Sequence, residues 1–170
     1  APDGEDVPSG YSVNGGGNMD SRIITAGTTV YFPVRVDGAL LSMGDVHAAM
    51  GDGEVCETGV EIVADITVRV RIIKNFKLNW PVTETADCWF VNTNGKNCDI
   101  AIQRGYEELQ RLIMKAYGWD ATDACMYISI AGRLESNQSV LDTNETDEEG
   151  DTFRVGIPKT SQKPRLISSK

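Results

Sequence analysis

The chain has 170 residues, 41% of them apolar and 24% charged, and a formal net charge of −9. That composition suits one globular domain with a sizeable core, while the acidic balance argues against a nucleic-acid or anionic-membrane partner, since phosphates select a basic surface. No run approaches the twenty or so apolar residues of a membrane span, and the first residues are acidic with Pro and Gly rather than a basic leader, so the expected location is the cytoplasm.

Residues 1–17 are rich in Gly, Pro, Ser and acids and read as a loop or linker ahead of a single β-rich domain over 18–158. Thr28 to Val36 is β-branched and aromatic, with Pro33 fitting an edge or a bulge. Val55 to Ile73 carries the clearest periodicity: Val60, Ile62, Ala64, Ile66, Val68, Val70 and Ile72 alternate with Glu61, Asp65, Thr67, Arg69 and Arg71, predicting antiparallel strand with one buried face. Shorter strands are expected over 76–82 and 88–91. The period then changes. Ile102, Tyr106, Leu109, Ile113 and Ala116 fall at steps of four and three, opposite Gln103, Glu107, Glu108, Gln110, Arg111 and Lys115. This predicts a helix near 99–117, with Asp99 as N-cap and Gly118 as stop. A second helix is expected near 120–131 from Asp120, with Asp123 in a box-like position. The acidic run 145–151 reads as a solvated loop with calcium binding as its alternative, 153–158 as a last strand, and 159–170 as a tail. The expected fold is mainly β, an antiparallel, sandwich-like sheet with a helical hairpin packed against it.

Cys56, Cys88, Cys98 and Cys125 form no Cys-x-x-Cys pair, so buried free thiols are expected rather than a structural zinc site. Asn137-Gln138-Ser139 and Asn144-Glu145-Thr146 match the glycosylation sequon and are read as accidental. Trp80, Trp89 and Trp119 are expected in packing.

The densest chemistry lies in Gly44 to Glu54, where the lone histidine, His47, sits among Asp45, Asp52 and Glu54 with three glycines. Asp45 and His47 are two apart, so on extended backbone they share a face, and Asp52 and Glu54 repeat the spacing. Gly51 and Gly53 suit a tight turn that folds the second pair toward the first. Imidazole and carboxylates are ordinary ligands of a divalent metal and, without one, can move protons. The same residues also suit a polar hairpin turn whose acids cap backbone N–H groups. Cys56, two after Glu54, is an alternative nucleophile beside His47 and otherwise a core thiol.

The blocks Asn14-Gly15-Gly16-Gly17-Asn18-Met19-Asp20, Gly27 to Val34, Gly38-Ala39-Leu40, Gly44-Asp45-Val46-His47 and Gly51-Asp52-Gly53-Glu54 closely resemble, in order and spacing, the acetamidase/formamidase family of amide hydrolases. The likeness runs to about Asp142, with Gly15 standing where many relatives carry His or Asn before Gly-Gly-Asn. It implies hydrolysis of a short amide such as formamide or acetamide to ammonia and the carboxylate. It also implies a chain corresponding to the family's C-terminal half, whose partners are the small amide, the N-terminal half or a separate partner chain, and further copies in a homo-oligomer. On this resemblance Asp45, His47 and Asp20 are expected to hold a divalent metal, zinc first and calcium second. Glu54, His47 and Asp52 form the catalytic group, with Glu54 as base and Asp52 as support, while Asn18 and Gly17 bind substrate. For Asn18 and Asp20 the alternative is a glycine-loop turn with side-chain to backbone bonds. For the whole chain the alternatives are a non-catalytic metal-binding β-sandwich module and an inactive fragment.

Overall fold

The computed structural model describes residues 9–139 and 150–168. Its elements are β1 (Thr29–Tyr31), β2 (Val82–Glu84), β3 (Cys88–Gly95), α1 (Cys98–Tyr117), α2 (Ala121–Ala131), β4 (Arg133–Ser136) and β5 (Asp151–Pro158). The strands form one antiparallel sheet in the order β1-β2-β3-β5-β4. β3 and β5 pair along their whole length, from Cys88 opposite Pro158 to Gly95 opposite Asp151, and every residue of β3 is buried.

The helical hairpin packs on this central pair. Leu109, Leu112 and Ile113 of α1 and Ala124 and Ile128 of α2 close against Trp89, Val91, Val155 and Ile157. Gly105 permits the approach, because a Cβ there would lie 2.7 Å from Val155 Cγ2 and 3.2 Å from Thr93 Oγ1. The buried stripe of α1 runs through Ala101, Gly105, Leu109, Leu112 and Ile113, rotated from the expected face. That rotation buries Glu108, expected on the polar side, where it accepts from Asn79 and Arg111 instead of solvent. Asn97, not Asp99, caps α1: its side chain accepts from the Ile100 N–H, leaving Asp99 in the first turn, where a negative charge suits the helix dipole. Gly118 closes the helix in the left-handed conformation, and the Asp120 carboxylate accepts from the Asp123 N–H to start α2.

The long strand expected over 55–73 does not form. Its alternation is intact, but a strand requires a neighbour, and beyond a bridge at Glu61 the segment has none among the described residues. The described residues therefore build one sheet and no second layer of a sandwich. β1 is shorter than the expected 28–36, and of 76–82 only Val82 enters a strand. β4 had no signal of its own: short and half-exposed, it exists by pairing with β5. Only Cys88 is buried, on β3; Cys56, Cys98 and Cys125 are exposed, and all four are free. Trp89 lies in the core, with Trp80 and Trp119 packed against it. Residues 1–8 of the expected linker and 145–149 of the acidic run, with the Asn144 sequon, lie outside the described residues. Among those described, no helix is long and apolar enough to cross a membrane.

The expected tail is docked over its described part. Leu166 and Ile167 enter the core, and Lys159 and Arg165 reach back to Glu84 on β2 at 2.8 and 2.5 Å, with Tyr31 Oη donating to the same carboxylate at 2.7 Å. Burial opposes the charged form of Glu84. The Lys159 and Tyr31 hydrogen bonds and the Arg165 charge outweigh it and hold the pKa below the ordinary 4.5. A carboxylate with a lowered folded pKa contributes all of its stabilisation above the unfolded value and loses it as the pH falls through the folded one. Glu84→Gln should therefore cost about 1–3 kcal/mol at pH 7, below the usual penalty for a fully buried pair because Arg165 can return to water. Urea unfolding at a series of pH values should show the gap to wild type closing below the ordinary carboxylate range; a gap independent of pH would contradict this account.

Candidate active site

His47 is placed by a short antiparallel contact rather than by a regular strand. Ala48 N–H donates to Val60 O at 2.8 Å, Val60 N–H to Ala49 O at 2.9 Å, and Ile62 N–H to Val46 O at 3.3 Å, which sets Glu61 across from His47. The imidazole lies in the resulting fold with 9% of its side chain exposed. Its Nε2 is 2.8 Å from Glu61 Oε1 and 3.5 Å from Asp45 Oδ1; its Nδ1 is 3.5 Å from Glu54 Oε1 and 3.3 Å from Met50 Sδ. Gly59 makes room for the ring, since a Cβ there would fall 2.8 Å from His47 Cγ and Nδ1 and 2.9 Å from Ala49 O.

Glu54 arrives by a different route. Gly53, at φ 95°, donates its N–H to Asn137 O at 2.6 Å and accepts from Ser139 N–H at 2.8 Å, fastening the turn beside β4. The next residue is then buried, with one carboxylate oxygen toward His47 and the other accepting from Gln138 Nε2 at 3.2 Å. Asp52 does not join this group. Its carboxylate bonds Arg154 at 2.5 Å and Arg22 at 2.9 Å, so it anchors the turn that presents Glu54.

The glycine-asparagine block lies beside the cluster without supplying all the expected contacts. Asn18 donates its side-chain amide to Gly10 O at 3.0 Å, and Gly17 O accepts from Val13 N–H within an exposed turn. Neither reaches the histidine cluster. Asp20 does feel it: burial first, then the charges of Glu54 and Asp45, raise its pKa to about 6 against the opposing effect of His47. Its Oδ2 is buried with no hydrogen-bond partner among the described residues, as are Ser21 Oγ and Gln138 Oε1. Asn18, Asp20, Asp45 and Glu54 all have positive φ, at 46°, 44°, 59° and 41°. Asn and Asp tolerate this region; for Glu54 it is strain of order 1–3 kcal/mol held by the surrounding bonds.

For His47, burial favours the neutral ring, but the Glu61 hydrogen bond and the charges of Glu61, Asp45 and Glu54 outweigh it and raise the pKa. Burial raises the pKa of Glu54 as well, against the His47 charge and the Gln138 hydrogen bond. One ligand atom each of Asp45, His47 and Glu61 lies within 4.8 Å of the others, a set able to hold a metal. Of the residues singled out in the sequence, Asp45, His47 and Glu54 are thus brought together, Asp20 borders them, and Asp52, Asn18 and Gly17 face elsewhere. Glu61 and Gln138 are additions. Glu61 stood on the polar face of the alternating stretch, with nothing to mark its register against His47, and Gln138 is 84 positions from Glu54. Cys56, the alternative nucleophile, is exposed.

Residues 7–140 match the sequence model of the Acetamidase/Formamidase family. The formamidase of Methylophilus methylotrophus is 44% identical over 61 residues, 35% of this chain and 15% of that protein. The acetamidase of Mycolicibacterium smegmatis is 41% identical over 69 residues, 40% of this chain and 17% of that protein. A predicted acetamidase/formamidase from the thermophile Thermoanaerobacter tengcongensis has a similar structure, with TM-score 0.83 and 33% identity, over 93% of this chain and 50% of that one. An acetamidase from Yersinia enterocolitica gives 0.83 and 30%, over 93% and 46%. The chain spans about half the length of these solved relatives.

Because His47 is the lone histidine, its titration can be followed by NMR without assignment. In EDTA-treated protein the imidazole should titrate above the ordinary 6.5, and Glu61→Gln should bring the midpoint down. Gly59→Ala should do likewise by pushing the ring off Glu61. An unchanged midpoint in Glu61→Gln would contradict the geometry described.

Proposed function

The chain belongs to the acetamidase/formamidase family, and from that membership we propose that it carries the reaction centre for hydrolysing short aliphatic amides to ammonia and a carboxylate. The observation that carries the reading is the convergence of Asp45, Glu54 and Glu61 on His47, with Asp20 alongside. An unactivated amide requires a nucleophile stronger than neutral water and a group that passes a proton to the departing nitrogen. Glu54 meets the second need. Buried and with a raised pKa, it accepts a proton from the attacking water and returns it to the leaving amine, while Gln138 holds its far oxygen. Asp20, with a pKa of about 6, adds a second group able to hold a proton close to neutral pH.

Asp45, His47 and Glu61 are the residues that would hold a divalent metal, with Asp20, the further ligand expected from the sequence, beside them. Two observations support the fit: three ligand atoms share one small volume, and a buried carboxylate oxygen of Asp20 stands without a hydrogen-bond partner among the described residues. One imidazole with carboxylates suits zinc first; calcium prefers oxygen alone. Such an ion, when bound, supplies a Lewis acid and lowers the pKa of water. Half of the relatives' length lies beyond this chain's span, and we infer that the remaining wall of the substrate pocket comes from there.

The exposed Asp45 and Glu61 side chains, at 59% and 61%, favour a second reading in which the cluster binds metal without turnover. Two measurements separate the readings. Calorimetric titration of EDTA-treated chain with zinc should show one site, weakened at least about tenfold in His47→Ala and Glu61→Gln but retained in Asp52→Asn. Ammonia release from formamide and acetamide, with the chain co-produced beside the unmatched half of the Thermoanaerobacter relative, should fall about 10²–10⁴-fold in Glu54→Gln. Near-normal turnover in that variant would sink the catalytic role; zinc binding with no ammonia release from the wild type would favour the second reading.

A further inference from the structure

Residues 60–72 carry the Glu61 contact with His47 and otherwise enter no regular element, and every one of them is exposed. Val60 is 57% exposed, Val63 98% and Ile72 79%. After the Ile62 N–H bond to Val46 O, residues 63–72 make no backbone hydrogen bond among the described residues. Yet the pattern is that of a strand: apolar side chains at the even positions, and Glu61, Asp65, Thr67, Arg69 and Arg71 at the odd ones. An extended, apolar, unpaired strand is a template that folded proteins cover or blunt. Neither proline nor a bulge blunts it, and its charged residues still leave Val60, Ile62, Ile66, Val68, Val70 and Ile72 exposed, which suits it to being covered.

We propose that residues 60–72 are a docking strand whose hydrogen-bonding partner is a strand from the half of the relatives' length that this chain does not span, and that docking adds the second sheet layer. The inference rests on the family reading above. Two observations choose this occupant, and a third describes the charges it must carry. Some 93% of the chain superposes on 50% of the Thermoanaerobacter protein, so in that relative a comparable length of polypeptide remains to cover it. Other large apolar side chains are exposed as well, among them Val34, Leu40, Leu41, Met43 and Val55, and a strand pairing with its own copy would leave these in water. The charges are ordered, with Glu61 and Asp65 before Arg69 and Arg71, which calls for a neighbour presenting cations to the first pair and anions to the second. The same order makes the strand self-complementary about Thr67, where Asp65 would face Arg69 of a second copy, and the test must separate the two. Glu61, near the head of this segment, bonds His47, so the docking strand leads directly out of the histidine cluster.

The test co-produces the chain with the tagged, unmatched half of the Thermoanaerobacter relative and follows amide hydrogen exchange. Alone, the chain should be monomeric by light scattering, with rapid exchange over 63–72. In the purified pair, alternate amides of that segment should be protected about 100-fold or more. Val68→Lys should weaken the pair at least about tenfold while leaving protection of β3 and β5 unchanged. Failure of the two polypeptides to associate would overturn the proposal, as would a pair whose 63–72 amides still exchange rapidly. A dimer of the chain alone with those amides protected would assign the strand to a second copy and overturn it equally. Zinc binding by the isolated chain is read separately, so the docking strand and the reaction centre fail independently.

Discussion

A buried guanidinium joins the sheet to the histidine cluster. Arg154, on β5, is fully buried and donates to Glu135, to the Ser136 carbonyl, to the Asn137 side chain and to Asp52. An arginine charge in that position is costly unless its fork is filled, and here two carboxylates and two neutral acceptors fill it. Because Asp52 belongs to a loop and the other partners to β4 and its continuation, satisfying Arg154 requires the turn at Gly53 to lie against Asn137 and Ser139. Glu54 then has one place to go, between His47 and Gln138. The network is better evidence for a unique loop geometry than for net stability.

The geometry it imposes is unfavourable locally. Glu54 takes up a left-handed backbone conformation, and Asp20, Asp45, Glu54 and Glu61 crowd about a single imidazole. Burial first and then the neighbouring charges of Glu54 and Asp45 raise the pKa of Asp20 to about 6. Such crowding is relieved by a protonated histidine, by a proton retained on a carboxylate, or by a cation. Strain and repulsion gathered where the chemistry is expected, and opposed by a well-packed sheet elsewhere, match the general pattern of reaction centres.

The parts of this arrangement legible in the sequence are those set by near neighbours. The helical hairpin followed from spacing, Gly118 and Asp120, and the group around His47 and Glu54 from glycine and carboxylate pattern. What could not be read depended on distant partners. Glu61 meets His47 only through the register of a contact between 46–49 and 60–62, Gln138 meets Glu54 across most of the chain, and Asp52 is drawn away by a residue 102 positions on. The α1 face is rotated in part because Gly105, silent in a hydrophobic pattern, lies against Val155 and Thr93 where a Cβ would collide. Residues 60–72 show the converse: their alternation is a true strand signal, but a strand is a property of a pair, and the pattern of one member does not reveal where the other lies.

The central claim is that the lone histidine and its carboxylates form a metal-binding reaction centre. Anomalous diffraction from crystals of the chain grown with zinc tests it most directly. A single strong peak within coordination distance of His47 Nε2, with Asp45 and Glu61 oxygens as further ligands and Glu54 beside it, is the predicted result. A peak at the cysteines, or none at His47 with the ion in excess, would contradict it.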